Sequence, residues 1–442
     1  MDIEELMKNA NNTIDLTEMN MNPDNLETLM TLGVNGKSEA VLEETFDEIV
    51  ETAEPEVEID TSDITEPNII LRKTELVRAL KYASVMIKKV TADIESSSLN
   101  ITLGDGNVLY KLKDNMTYVE LTGDVKVVND KPLEETLSFN AGYLLKLLTA
   151  AAANVVIYKT TVTNNEGVDK PVYMIRLANG DFILDVNVGD DSKLEFPGVK
   201  KDLLYKLDPT VVSSLHDIMT PLINNTQEIQ SKRMVVYNDR AFFKSTTFIL
   251  QYKGTFSPMC LGKKELDLLK LVSSGSDSMV EFYSVTEESS SENRIIIVAP
   301  NVKISTLVSI PNRDETLVER FNVLENAKYM KVNRNEFNRV LFLSGLGTNT
   351  VSRVTMNYNV DGNGIDAKII SRDGKSNFTI SGDNYNNLEP KENDIEIYAV
   401  QLMQLLKSFE RGNNTEVAFL QQGVAFRDAS LGIEALMNYS SY

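Results

Sequence analysis

DIEIYAVQLMQLLKSFERGNNTEVAFLQQGVAFRDASLGIEALM, residues 394–437, reads as a strand, a helix and three further strands. Ile395, Glu396 and Ile397 alternate in the period of a strand. Ala399, Leu402, Met403, Leu406 and Phe409 then recur at helical spacing and put an apolar stripe on one face. Gln404, Lys407 and Arg411 fall off that stripe, and Gly412-Asn413-Asn414 stops the helix, with Arg411 placed for the negative end of its dipole. Residues 415–421 predict a strand, Gln422-Gly423 a turn, 424–428 the returning strand and 432–437 the last one.

The same order recurs upstream. A strand at 69–71 leads into a helix over 73–89, with Leu76, Ala79, Leu80, Ala83 and Ile87 on one face. Strands follow at 99–103, 108–112 and 118–121, then a strand at 137–139 and a helix over 141–152. Strands at 155–162, 172–177 and 182–188 complete this part, with Asn179-Gly180 as a hairpin turn signal. Leu194-Glu195-Phe196-Pro197-Gly198-Val199 reads as a linker. Beyond it come a strand at 204–207, a helix opened by Pro209 and running to 223, strands within 234–252, a strand at 258–260, a helix over 262–272, and strands at 280–285 and 295–308. Residues 311–326 form a second connector. A strand at 329–332, a helix over 334–343 and strands to 381 lead into the opening module. Leu145, Leu266 and Met403 superpose at offsets of 121 and 137 residues, and Leu71, Leu207 and Val332 at 136 and 125. One domain period of 120–137 residues fits both.

The chain has 442 residues and a formal net charge of −21, unevenly spread. Residues 1–66 hold 19 acidic and 2 basic side chains, a net of −17, and the remainder carries −4. This tail is expected to be mostly disordered, with residues 43–50 able to form a helix on a partner. A single cysteine, Cys260, excludes an intramolecular disulfide framework and fits a reducing compartment. No long apolar run and no basic leader are seen, so a cytoplasmic protein with no membrane partner is expected.

Little in the sequence points to catalysis, and no cofactor or metal is expected. His216, the only histidine, sits on a helix beside Asp217 and reads as structural, because a catalytic histidine needs an orienting partner and a metal needs several ligands. Cys260 reads as a small core hydrophobe. Asn359, Asp361, Asn363 and Gly364 open like a calcium loop, but Ile370 stands where the closing glutamate belongs, so they read as a hairpin turn. Gly345-Leu346-Gly347-Thr348-Asn349-Thr350 follows a helix and lacks the phosphate-loop lysine. A non-enzymatic protein is expected.

Cations recur on the predicted helices: Arg78, Lys81, Lys146, Lys263, Lys264, Lys270, Arg334, Arg339, Lys407 and Arg411. One reading is a set of solvated helix faces. The other is that repeated domains aim these helices at a shared axis, where their charge sums over a surface a polyanion can pass.

The chain from 68 to 437 resembles the bacterial-type sliding clamp, the beta subunit of replicative DNA polymerase, in a bacteriophage version. Phe139-Asn140-Ala141-Gly142-Tyr143-Leu144-Leu145-Lys146-Leu147-Leu148 follows that family's strand-to-helix phrase, and Leu194-Glu195-Phe196-Pro197 its first interdomain connector. The 394–437 module matches its C-terminal end in order and length. The resemblance implies an α+β chain of three repeated clamp domains, each of two strand–helix–strands units: 67–200, 201–326 and 327–442, after an acidic extension over 1–66. It implies a homodimer closing into a ring, helices inside and antiparallel sheets outside, with strand edges of the first and third domains joined. The ring would encircle double-stranded DNA and tether a DNA polymerase, in the host cytoplasm for a virus, and an ATP-dependent clamp loader would open it. A partner-peptide pocket would involve Ser245, Thr247, Phe248, Leu250, Pro311, Ile433, Leu436 and Met437. Two departures stand out. Thr247-Phe248 replaces the family's Gly-His pair in that pocket, and the 209–223 helix carries no Lys or Arg, leaving Lys206, Lys232 and Arg233 beside it to compensate. The alternative reading is a non-enzymatic repeat scaffold or viral assembly protein that does not encircle DNA; a hydrolase with an unseen site is a weaker third.

Overall fold

The structure, a computed structural model, describes residues 59–438 apart from 87–97, 105, 150, 152, 164–167, 178–179, 185, 190–193, 226–232, 246, 257, 275–276, 286–292, 310, 312–313, 334, 338–352, 360–362, 372–373, 384–387, 389–393, 410–414 and 422. The expected helix at 43–50 and the turn at 345–350 lie outside the described residues.

Six modules follow one another. The first is β1 (Asn68–Arg72), α1 (Lys73–Met86), β2 (Ser98–Gly104), β3 (Asn107–Lys113) and β4 (Thr117–Asp124). The second is β5 (Leu137–Asn140), α2 (Ala141–Thr149), β6 (Asn154–Thr163), β7 (Asp169–Leu177) and β8 (Gly180–Ile183), with β9 (Asn187–Val188) after it. The third is β10 (Lys200–Leu207), α3 (Pro209–Asn225), β11 (Arg233–Val236), β12 (Arg240–Lys244) and β13 (Phe248–Lys253). The fourth is β14 (Met259–Gly262), α4 (Lys263–Ser274), β15 (Val280–Val285), β16 (Asn293–Ala299) and β17 (Val302–Val308). A connector, α5 (Glu315–Glu319) and a 3₁₀ turn (Arg320–Asn326), leads to β18 (Met330–Val332), β19 (Arg353–Tyr358), β20 (Gly364–Ser371) and β21 (Gly374–Ser381) of the fifth. Of the helix expected over 334–343, only 335–337 are described, and they are helical. The sixth is β22 (Ile395–Tyr398), α6 (Ala399–Lys407), β23 (Thr415–Leu420), β24 (Gly423–Asp428) and β25 (Ile433–Asn438).

The modules pair by exchanging their first strands. β1 leaves its own module to pair with β6, and β5 returns the exchange by pairing with β2. β14 adds to β11 while β10 adds to β15, and β18 adds to β23 while β22 adds to β19. A lone module cannot cover its helix and satisfy its edge; two modules locked this way share one core. Two further pairings fuse neighbouring sheets: β4 with β17, and β13 with β25. The result is a nine-stranded sheet, an eight-stranded sheet and two four-stranded sheets, ordered β1-β6-β7-β8 and β21-β20-β19-β22.

Two compact units result, one of Met1–Asp202 with Phe282–Ser289 and Arg294–Leu307, the other of Leu203–Glu281, Ser290–Asn293 and Val308–Tyr442. The division cuts through residues 201–326, because the two meanders there belong to two different sheets.

In the first unit, α1 buries Leu76, Val77, Leu80, Tyr82 and Ala83. Its first residue, Lys73, is 3% exposed, and its Nζ donates to the Ala151 carbonyl at 2.9 Å, just past the end of α2. Burial pushes that ammonium down from its usual value, and the carbonyl end of a helix is where a cation is best placed. The linker is pinned as well. The Tyr118 hydroxyl donates to Leu194 O at 2.5 Å, its ring meets Phe196 edge-to-face at 5.2 Å, and Ser305 Oγ donates to Pro197 O at 3.1 Å. Gly198 has φ +87°, and a Cβ there would sit 2.2 Å from Val285 Cγ1, so only glycine fits.

Residues 59–66, ahead of the expected domain start, are packed against the first unit. Ile64, 1% exposed, covers Val156, Tyr158 and Met174 on the β1-β6-β7-β8 sheet. Arg176 Nη1 donates to Asp60 O at 2.9 Å and Nη2 to Asp63 Oδ2 at 2.9 Å, while Lys131 Nζ reaches Thr65 O at 2.7 Å. The Arg176 guanidinium holds the Asp63 carboxyl below the usual carboxylate range, and Ser62 does the same for Asp60. Groups with lowered folded-state values stabilise above the carboxylate range and lose that contribution as pH falls through it. Protection of the Ile64 amide, taken relative to its intrinsic exchange rate at each pH, is therefore expected to fall on acidification below about pH 4, ahead of the rest of the unit; protection at Ile64 that tracks the whole unit at every pH would contradict this.

Candidate nucleic-acid interface and partner site

On α1 the residues left out of the core are Thr74, Glu75, Arg78, Lys81, Ser84 and Val85, a stripe at helical spacing. Arg78 and Lys81 thus share one solvent-facing side. Burial pushes the Tyr82 hydroxyl up to about 12, against the opposing pull of the Arg78 guanidinium one turn away. Lys146 is exposed on α2, whose Leu144, Leu147 and Leu148 are buried, and α1 packs against α2. In the second unit α4 buries Leu266, Leu268, Leu269 and Val272, leaving Lys263, Lys264 and Lys270 half-buried at its surface. Lys263 and Lys270 are two turns apart, with Asp267 between them on the same side. Lys407 ends α6; Arg334, Arg339 and Arg411 lie outside the described residues, as does the Lys407 side chain.

The cation-free helix has a different device. α3 packs against both α4 and α6. His216 on α3 is 8% exposed, its Nδ1 3.0 Å from Asp217 Oδ1 and its Nε2 2.9 Å from Asp267 Oδ1 on α4. Each ring nitrogen lies within hydrogen-bond distance of a carboxylate oxygen, one on its own helix and one on α4. The histidine is thus a polar bolt between two helices. Asp217 is visible beside it in the sequence; Asp267, 51 residues on, is not.

The partner-site residues gather around β13 and β25. Their register opposes Phe248 to Met437, Leu250 to Ala435 and Tyr252 to Ile433. Strand side chains alternate, so Phe248, Leu250, Ile433 and Met437 share one face and Leu436 shares the other with Ile249. All eight therefore cannot line one side, as a single pocket would require; the two-residue period divides them. Phe248, Leu250, Ile433 and Met437 are 3%, 0%, 0% and 2% exposed. Ser245 and Thr247 shape the preceding turn: Ser245 N–H donates to Phe248 O at 2.9 Å, and its Oγ accepts from Phe248 N–H at 3.1 Å. Pro311 is half-buried at the start of the connector. The connector's Leu317, Phe321 and Leu324 cover Ile249, Leu436 and Phe242, and Asp314 N–H donates to the Tyr237 hydroxyl at 2.9 Å. The sequence reading passes over these connector residues, although Leu317, Phe321 and Leu324 stand at helical spacing.

Cys260 is half-buried on β14, and β19 and β20, which precede and follow residues 359–363, pair antiparallel. Among the described residues no group of three or more His, Cys, Asp or Glu is arranged to hold a metal ion, and no helix is long and apolar enough to cross a membrane.

No family model matches the chain. No curated protein matches it by sequence. Solved structures do match. The DNA polymerase sliding clamp of Bacillus subtilis is 14% identical with a TM-score of 0.64, over 86% of this chain and 100% of that one. The beta subunit from DNA polymerase of Streptococcus pyogenes is 13% identical with a TM-score of 0.65, over 84% and 99%. The sliding clamp of Bartonella birtlesii, bound to griselimycin, is 14% identical with a TM-score of 0.65, over 84% and 98%. The chain has the sliding-clamp fold.

Proposed function

We propose, starting from that shared fold, that the chain is a DNA polymerase processivity clamp. The observation that carries the reading is the threefold exchange of first strands, repeated along the full length of the clamp fold. We read it as three domains, 67–200, 201–326 and 327–442, two copies of which close head to tail through the outermost strands of the four-stranded sheets. Arg78, Lys81, Lys146, Lys263, Lys264 and Lys270 then face encircled duplex, joined by Arg334, Arg339, Lys407 and Arg411. Closure holds DNA by topology, so a mildly basic lining suffices and sliding stays fast. That reconciles an acidic chain with a polyanionic partner. A polymerase docked on the ring stays at high effective concentration near the primer end.

Docking is assigned to the surface where the connector meets β13 and β25. Pro311 lies toward the partner, with Leu436, Phe248, Leu250, Ile433 and Met437 supporting it from beneath and Ser245 and Thr247 setting the turn. The clamp performs no reaction; an ATP-driven loader opens it, and both work in the cytoplasm. The test is retention on DNA after loading. A nicked circle should keep the protein through a high-salt wash and lose it on linearisation. Equal loss from circle and line would favour a scaffold that does not encircle DNA.

A further inference from the structure

The β1-β6-β7-β8 sheet has an unusual outer face. Val155-Val156-Ile157-Tyr158 in β6 is apolar without alternation, the pattern of a strand covered on both sides. β19, the matching strand of the β21-β20-β19-β22 sheet, alternates instead: Arg353, Thr355 and Asn357 are partly exposed, Val354, Met356 and Tyr358 buried. What covers β6 is the chain itself. Residues 59–66 lay Ile64 onto Val156, Tyr158 and Met174, with Ile59 and Ile183 packed alongside. Ile183 belongs to β8, the last strand of its sheet. Arg176 ties segment and edge together: besides Asp63 and the Asp60 carbonyl, its Nε donates to Asp181 Oδ1 at 2.7 Å and its Nη2 to Asp181 Oδ2 at 2.8 Å. Asp181 is also on β8, and the guanidinium lies over the Tyr158 ring at 5.7 Å.

We propose that residues 59–66 form a strap that builds one side of a docking surface at β8, and that its partner is β21 of a second copy of this chain. The assignment rests on the ring reading above. β21 is likewise the last strand of its sheet, and exposed Lys375 on it and exposed Lys368 on β20 outnumber the one exposed carboxylate of these two strands, Asp366. The strap and β8 present Asp60, Asp63, Glu66 and Asp181, with Arg176 offsetting part of that charge. Opposite signs at two open strand edges favour this pairing over like with like. The strap also fills the sheet's outer face, so β8 is held flat from the side the core does not reach. Residues 1–58 are not needed for this.

The experiment compares the full chain, a chain lacking 1–58, a chain lacking 1–66, Ile64→Asp and Ile64→Val by sedimentation, with hydrogen exchange read at β7, β8 and β19–β21. The full chain, the 1–58 deletion and Ile64→Val should dimerise alike. The 1–66 deletion and Ile64→Asp should weaken dimerisation about tenfold or more and speed exchange in β7 and β8, and in β21 as its pairing with the second copy is lost, while leaving β19 and β20 unchanged. Equal dimer constants in every variant overturn the strap but not the ring. A 1–58 deletion as weak as the 1–66 deletion also overturns it, shifting the effect to the acidic segment. A full chain that is monomeric at every concentration overturns the ring itself, and the strap's partner with it.

Discussion

Reversing Arg78, Lys81, Lys146 and Lys263 to Glu together is expected to lower the amount of protein loaded onto nicked circular DNA by about a hundredfold at moderate salt. Each phosphate left without its cation flattens the logarithmic salt dependence by about 0.9, and charge reversal adds repulsion on top. The fold should survive. These side chains are exposed or half-buried, and surface ion pairs contribute only about 0–1 kcal/mol each. A control with the same charge change, Lys126, Lys170, Lys201 and Lys244 to Glu, alters exposed residues outside the helices. It should retain DNA nearly as well as the parent. Equal loss in both variants would mean that net charge, and not a helix-lined surface, governs DNA binding.

Phe248→Ala is expected to destabilise the protein by about 3–5 kcal/mol, the range for emptying a well-filled aromatic site. Phe248 is 3% exposed, opposes Met437 across the β13–β25 ladder, and its ring centroid lies 5.8 Å from that of Phe243. Total stabilities of about 5–15 kcal/mol make this a large fraction, so a loss of polymerase binding in this variant would report unfolding first. Met437→Ala should cost somewhat less, about 2–5 kcal/mol, and the pair should not add, because the two side chains touch one site. Leu436→Ala, on the other face beneath the connector and 8% exposed, should cost about as much as Met437→Ala, so substitution at the half-buried Pro311 is the variant expected to weaken a docked peptide at temperatures where the fold holds. Denaturant unfolding decides the matter. A Phe248→Ala midpoint near the parent's would show that Phe248 is an open wall after all.

The strand–helix–strands order was legible because each part is local. Of the stripe through Ala399, Leu402, Met403, Leu406 and Phe409, all but the half-buried Met403 are buried as the spacing demands, and the linker at 194–199 is where its Pro and Gly place it. The cations on α1 and α4 fall on the solvent side for the same reason: helix period alone separates them from Leu76, Leu80, Leu266 and Leu269. The pocket residues were harder. Phe248 and Leu436 look equivalent as apolar residues of short strands, and only the register of β13 on β25 puts them on opposite faces.

Residues 59–66 were absorbed into an acidic tail because charge dominates their composition; the one apolar side chain that matters, Ile64, has its partners about ninety and more positions away. His216 likewise shows its near neighbour, while its second carboxylate arrives on another helix.

Periodicity, turn chemistry and a repeat near 120–137 residues were enough to establish six modules in three pairs, since these depend on neighbours within one turn or one strand. First-strand exchange, the His216–Asp267 bolt, the face assigned to each apolar residue and the Arg176-held strap arose only on folding. Each joins groups far apart along the chain, and no local pattern encodes an interaction that exists only when two distant surfaces meet.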